Sequence, residues 1–393
     1  MSIRRVRNII FLKDVSILSL TAFGGPQGHF GMFLDLLVGK RGYLTEEDLI
    51  ELYALCQILP GPTSTQTITA LGYKIGGPNL AYLTLLVWMF PAFCIMTTLA
   101  ILVTTAQDLN FSLDFIRFIE PIAVGIVAYS SYRISIKVVN TKVGVGLMIL
   151  SAFASFIFKS PYAFPILILF GGLATTWKYK KQPIEEKERI KVKWANLILW
   201  VSVLVFAAVL GGVTQYQPIK LFENFYRNGS LIFGGGQVLV PLLYTEFVEF
   251  KQYLTSQEFV SGYGFVQAIP GPVFSFSAYV GAISARDLGM AGQLLGAGMA
   301  AIGVFLPGTF LIFFVIRFWE QLKKYRIVKA SLEGIVAVSA GMVIAAAFLL
   351  FMPMEQKPIN FILLFATVGM MHFTKIPTPL IIVGGLVFGI VIA

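Results

Sequence analysis

Phe23-Gly24-Gly25-Pro26-Gln27, closed by Gln57-Ile58-Leu59-Pro60-Gly61-Pro62, returns later in the chain as Phe233-Gly234-Gly235-Gly236-Gln237 and Gln267-Ala268-Ile269-Pro270-Gly271-Pro272. A constant offset of 210 aligns the two blocks without a gap, and 13 of 40 positions are identical. The identities keep Tyr43-Leu44-Thr45 and Tyr253-Leu254-Thr255 in register as well as the glycines and prolines. An ungapped match that preserves its backbone-breaking residues is an internal duplication.

What surrounds these blocks is apolar. Hydrophobic residues make up 57% of the 393-residue chain, charged residues 13%, and the mean hydropathy is +0.80. Soluble domains carry about 25% charged residues. Apolar runs near the roughly 20 residues needed to cross a bilayer recur from end to end. The composition therefore predicts an all-α polytopic membrane protein with about 10–13 segments, embedded in a lipid bilayer, with Gly/Pro-broken or re-entrant helices; whether 49–73 and 258–283 cross or re-enter stays open. Six segments precede the middle, at about 14–37, 49–73, 80–105, 116–138, 143–158 and 161–177. Seven follow, at about 195–213, 222–248, 258–283, 290–316, 328–350, 359–372 and 377–392. Between them Lys178–Lys193 holds seven Lys/Arg and three Glu, the one obvious linker. The expected organisation is an N-terminal repeat over 1–178, a basic linker over 179–194, and an extra span plus a second repeat over 195–393.

The net charge of +10 does not point to nucleic acid, because the basic residues sit in short loops between apolar spans. With the N-terminus cytoplasmic, Arg4, Arg5, Arg7, Lys137, Lys142, the linker, Lys251, the Arg317–Lys329 cluster and Lys375 fall inside. The pair Lys40/Arg41 is the one basic cluster this count leaves outside. Met1–Lys13 lacks a small-residue cleavage site before a long span, so no cleaved signal is expected. Cys56 and Cys94 match no metal or redox spacing and read as small buried residues. Counting spans, the first repeat begins inside and the second begins outside. Inverted repeats carrying Gly/Pro-interrupted segments in matching positions are the pattern of secondary transporters, here in the cytoplasmic (inner) membrane.

Glycine triplets and Pro-Gly-Pro leave backbone groups without helical partners, which a bilayer tolerates only inside protein or beside a watery cavity. A half-helix starting after Pro62 or Pro272 aims free N–H groups and a positive dipole end inward, an arrangement suited to an anion. Thr63, Ser64, Thr65 and Gln66 follow the first motif as donors, and Ser275 and Ser277 the second. The bland reading of any single motif is a kink or a close helix contact; the matched pairs weigh against it.

Phe-Gly-Gly-Pro-x-x-His, Lys-Arg-Gly-Tyr, Gln-x-Leu-Pro-Gly-Pro-x-Ser-x-Gln and Gly-Tyr-x-x-Gly-Gly resemble the N-terminal half of chromate ion transporters. Phe-Gly-Gly-Gly-x-x-Leu-x-Pro-Leu and Gln-Ala-x-Pro-Gly-Pro resemble the C-terminal half, so the chain is similar to the long, two-domain form. The resemblance implies transport of chromate, with sulfate as the related oxyanion, and export that confers resistance. It carries Phe23, Gly24, Gly25, Pro26, His29, Arg41, Gln57, Pro60, Gly61, Pro62, Ser64, Gln66 and Gly72 as motif positions. In the second half it carries Gly234, Gly235, Gly236, Pro241, Gln267, Pro270, Gly271 and Pro272. The second copy departs where Ser64 and Gln66 become Phe274 and Phe276, which puts equal roles for the halves in doubt.

Charged candidates for anion attraction or coupling are few: His29, Asp35, Lys40, Arg41, Glu246 and Lys251. Long cations near helix ends ordinarily snorkel to headgroups, while an intramembrane carboxylate is a functional candidate by default. A carboxylate beside an anion path repels substrate unless protonated, which makes protons a candidate coupling partner. No nucleotide loop, HExxH motif or Ser/His/Asp set is present, and no cofactor is called for. A dianion leaving an inside-negative cell gains about 4.6 kcal/mol per 100 mV, twice the value for one charge, so export needs no further coupling. A sulfate or general dianion carrier and an anion channel remain alternatives. A membrane-embedded enzyme would want clustered His, Asp and Glu. The oligomeric state, a homodimer included, stays open.

Overall fold

The computed structural model describes residues 3–109, 117–138, 141–160, 162–177, 194–233, 236, 238–318, 325–374 and 376–392. The basic linker, Gly234, Gly235, Gln237 and Lys375 lie outside the described residues. The described chain is helical, and no strand occurs in it.

Helix α1 (Ile3–Thr21) stops at the first glycine motif, and α2 (Gly25–Phe33) runs on from it into a wider turn over Leu34–Lys40. There Arg41 N–H reaches back five residues to Leu36 C=O at 3.0 Å, the spacing of a π-helical turn. Helix α3 (Glu46–Ile58) begins with a capping box in which Thr45 and Asp48 satisfy each other's backbone N–H. Pro-Gly-Pro separates it from α4 (Thr63–Gly76). The long α5 (Pro78–Asp108) follows, then α6 (Ile119–Val138), α7 (Lys142–Phe158) and α8 (Ala163–Thr176).

After α9 (Ala195–Thr214) the order repeats. Helix α10 (Gln217–Gly229) corresponds to α1, and α11 (Leu239–Tyr244) with a π-helical turn over Thr245–Phe250 corresponds to α2. Helix α12 (Ser256–Ala268) carries the same capping box, Thr255 with Glu258, at the offset of 210. A single tight turn, Val273–Ser275, leads into α13 (Phe276–Ser284), and α14 (Gly289–Val315) matches α5. Helices α15 (Arg326–Phe351), α16 (Pro358–Phe373) and α17 (Thr378–Ile392) complete the second set. Among the described residues, four helices are long and apolar enough to cross a membrane: Pro78–Asp108, Ala195–Thr214, Arg286–Val315 and Ala330–Phe351.

The motif-bearing segments double back instead of crossing. Arg7 Nη2 donates to Ile75 C=O at 2.7 Å, and Lys74 Nζ lies 3.8 Å from Asp48 Oδ1. The start of α1, the start of α3 and the end of α4 therefore share one end of the molecule, with Arg317 bonded to Tyr73 beside them. At the far end of α5, Gln107 donates to Glu258, which also pairs with Arg286, while Gln217 donates to Ser284 C=O. The starts of α10 and α12 and the end of α13 gather there. At 31 residues, α5 separates the two ends by about 46 Å. Two expectations are corrected. Lys40/Arg41 belong with Arg7 and Lys74, not across from them, and Lys251 belongs with Arg286, not with the N-terminus. A glycine or Pro-Gly-Pro break in roughly 25 apolar residues reads alike for a kinked crossing and a hairpin, and the crossing count failed on that.

The remaining helices brace this core. Helices α7 and α8 lie against α15, so closely that a Cβ on Gly334 would stand 1.8 Å from Gly171 O. Ser151 donates to Val338 C=O at 2.9 Å, and Thr141 bonds Glu333. Helix α6 seats α16 through Gly125 against Thr367. Small residues let backbones approach where lipid supplies no hydrophobic drive. Cys56 is buried and Cys94 half-buried, both as free thiols.

Candidate functional site

The two Pro-Gly-Pro breaks meet near the middle of the core, each bonded to the opposite half. Gly61 N–H donates to Ile232 C=O at 2.8 Å, and Gly271 N–H donates to Ala22 C=O at 2.8 Å. The donors are 210 apart in sequence, and so are the acceptors. Each Pro-Gly-Pro thus caps the residue preceding the other half's Phe-Gly-Gly. The second contacts are reciprocal too: a Cβ on Gly61 would stand 3.0 Å from Gly308 Cα on α14, and one on Gly271 2.9 Å from Ala92 Cβ on α5. Those neighbours follow the mid-helix prolines Pro307 and Pro91. Gly61 and Gly271 have φ of 119° and 106°, backbone that disfavours any side chain. Gly24 (φ 85°) and Gly25 (φ 65°) take the left-handed conformation that turns α1 into α2.

The first-half break is polar. Pro62 precedes α4 with no side-chain cap, leaving the first-turn N–H groups of Thr63, Ser64 and Thr65 without an intrahelical acceptor. Thr63, Ser64, Thr65 and Gln66 are all buried, as are Pro60, Gly61 and Pro62. His29, fully buried on α2, places Nδ1 3.0 Å from Ser64 Oγ. Its ring meets Trp88 edge-on at 5.2 Å, and Trp88 Nε1 donates to Thr65 Oγ1 at 3.1 Å. Gln66 Nε2 donates to Pro60 C=O at 2.8 Å and to Gly308 C=O at 3.1 Å, tying the turn to α14. Gln66 thus positions the break, contrary to its expected place as a free donor. After these bonds His29 Nε2 and Gln66 Oε1 are buried without a partner among the described residues. An unmet buried polar atom costs about 1–3 kcal/mol, so this network has capacity left for a ligand or water.

The second-half break is packed with rings. Phe274 and Phe276 stand where Ser64 and Gln66 stand in the first copy, and both are buried. A Cβ on Gly236 would touch Val273 and Phe274. Ser275 and Ser277 keep hydroxyls that are buried and unpartnered among the described residues. Gln267 and Pro270 are half-buried, Pro272 and Pro241 are buried, and Gln57 is exposed. Pro26 and Gln27 lie in the first turn of α2. Gly72 packs against α5, where a Cβ would stand 2.5 Å from Thr84 Oγ1.

The charged candidates separate. Asp35 and Lys40 are exposed. Arg41 Nη2 lies 2.7 Å from Asp14 Oδ1, and Tyr43 Oη donates to Asp14 Oδ2 at 2.7 Å, across the open end of the first hairpin. Asp14 is fully buried. Its hydrogen bond and charge hold the Arg41 guanidinium above its ordinary value, and burial with the same carboxylate raises the Tyr43 phenol. Glu246 and Lys251 pair at 3.0 Å at the open end of the second hairpin, together with Arg227. Sequence reasoning missed Asp14, Trp88, Arg227 and Gly308. Asp14 aligns with Asn224 at the offset of 210, a signal just outside the matched block; Trp88 and Gly308 had none.

A helical chain with four helices fit to cross a bilayer, and buried backbone breaks at its centre, is a multi-pass membrane protein. It belongs to the chromate transporter family, whose profile matches residues 10–176 and again 219–390. The chain is 27% identical over 385 residues to the probable chromate transport protein of Synechococcus elongatus, covering 97% of this chain and 93% of that one. It is 24% identical over 379 residues to the chromate transport protein of Cupriavidus metallidurans, covering 95% and 90%. An uncharacterized transporter of Methanocaldococcus jannaschii is 24% identical over 388 residues, covering 97% and 92%. No solved structure matches.

Proposed function

We propose that the protein carries chromate, a tetrahedral dianion of sulfate-like shape, out of the cell, driven by the membrane potential and giving chromate resistance. The observation behind this reading is the first-half break: an uncapped helix start, Ser64 and Thr65 held by His29 and Trp88, and an unspent His29 nitrogen. First-turn N–H groups with the helix dipole behind them suit an oxyanion. The ring-filled second break makes the two halves unequal, with the donors in the first and the hinge surface in the second. The first-half hairpins open toward the cytoplasm and the second-half hairpins toward the outside, an inverted pair in the inner membrane. Rocking about the reciprocal Gly61 and Gly271 bonds alternates access.

The test is uptake of labelled chromate into inside-out vesicles at a set potential, with and without excess sulfate. Potential-driven uptake that Ser64→Val abolishes supports the reading. Uptake fully blocked by sulfate makes the protein a general oxyanion carrier. No uptake by folded protein overturns the substrate. Current far above carrier turnover would make it a channel.

A further inference from the structure

The open end of the second hairpin holds a charged cluster that the central break does not use. Glu246, 1% exposed, sits on the π-helical turn after α11. Arg227 Nη2 donates to both its oxygens, at 2.9 and 3.0 Å, and Lys251 Nζ lies 3.0 Å from Oε1. Asn228 Nδ2 approaches Oε2 at 3.5 Å, and Arg227 Nε is taken by Glu223 at 3.0 Å. Asn224, Arg227 and Asn228 are spaced i, i+3, i+4 and so share one face of α10.

After these bonds two donors stay buried with no acceptor among the described residues: Arg227 Nη1 and Asn224 Nδ2. Donors outnumber what one carboxylate can accept. The related corner of the first half has no such surplus, since Asp14 meets Arg41 and Tyr43 and none of the three keeps a buried unpartnered atom. The difference is specific to the second half, where Asn224 replaces the aspartate and Arg227 and Glu246 replace Ile17 and Leu36.

A carboxylate presents two oxygens, whereas a tetrahedral oxyanion presents four, and its two charges match Arg227 and Lys251. A guanidinium fork with flanking amides is the donor set that such an anion selects. We propose that this corner is a second oxyanion site, in which the Glu246 carboxylate stands in the anion's place until an anion displaces it. The ligand class rests on the oxyanion reading above; the site does not depend on which break carries transport. Arg227 and Lys251 are 21% and 18% exposed, so the corner is reachable from the surface. With Glu246 and Glu223 in place the four charges balance, and an entering dianion meets repulsion until Glu246 leaves. Binding is therefore weak and readily reversed, as an exit site at the end away from the N-terminus requires.

Sulfate binding to the purified full-length chain, at constant ionic strength, tests the site. The Ser64→Val background removes the central contribution. In that background Glu246→Ala is expected to tighten sulfate binding at least tenfold, and adding Arg227→Gln to abolish the gain. Should Glu246→Ala fold poorly, Glu246→Gln removes the charge at nearly constant volume and should enlarge the sulfate-dependent rise in Tm. Unchanged affinity in both Glu246 variants, with sulfate still bound by the unmodified chain, overturns this site alone. Absence of both sulfate and chromate binding from every variant and from the unmodified chain overturns the oxyanion reading itself.

Discussion

Gly61→Ala isolates the joint between the halves. At φ 119° any side chain strains the backbone by about 1–3 kcal/mol. The new Cβ would stand 3.0 Å from Gly308 Cα and 3.0 Å from Gln66 Nε2. Backbone cannot swing aside as a flexible side chain can, so overpacking adds about 1–3 kcal/mol. A total of about 2–6 kcal/mol falls on one joint, and 1.4 kcal/mol is a factor of ten. The Gly61–Ile232 and Gln66–Gly308 bonds, which share this joint, should then open together. Chromate uptake in vesicles should fall at least tenfold, with insertion intact because the apolar sequences of α5 and α14 are unchanged. Two controls separate the terms. Gly42 has φ 61° with nothing within 4 Å of a Cβ, so Gly42→Ala carries the backbone strain alone. Gly212 has open space and ordinary backbone, so Gly212→Ala should be silent. Uptake by Gly61→Ala above half of the unmodified rate, or equal to that of Gly42→Ala, would refute the joint.

Asp14→Asn removes the charge that Arg41 and Tyr43 share and should lower Tm in detergent, by a modest amount because Arg41 is 43% exposed and screened by water. Tyr43, raised by burial and by Asp14, favours the folded state while protonated, so its contribution is intact below the unfolded value of about 10 and lost as pH climbs past it. Tyr43→Phe should therefore flatten the alkaline fall of Tm. Trp88→Phe keeps a ring against His29 but drops the bond to Thr65, and should slow chromate uptake several-fold, about 1 kcal/mol, with little change in Tm. Phe274→Ser should empty a buried ring site and cost about 3–5 kcal/mol without raising transport.

The duplication, the helical class and the partnering of Gly24, Gly61 and Gly271 with tight turns were legible, because few residues tolerate such backbone. So was the inequality of the halves, since Phe274 and Phe276 stand opposite Ser64 and Gln66. Whether 49–73 and 258–283 cross or re-enter stayed open, because lipid-facing and protein-facing helices are both apolar, and the parity count assumed crossing. The misplaced Lys40/Arg41 pair was the visible symptom of that assumption. Gln66 read as a ligand donor because its type allows it; that its amide spans two carbonyls depends on Gly308, 242 residues away. Glu246 was noticed as a lone carboxylate, but its partner Arg227 lies beyond the matched block.

The reciprocal bonds also set an order of events during biosynthesis. The Gly271 bond to Ala22 C=O forms only once residue 271 exists, and the Gly61 bond only once residue 232 exists. At about 5–20 residues per second, the first acceptor waits on the order of 12–50 s. Unmet backbone groups in hydrocarbon cost several kcal/mol each. The newly inserted first half therefore has an unfinished centre while its sister is still on the ribosome, and the second half closes both sites as it arrives.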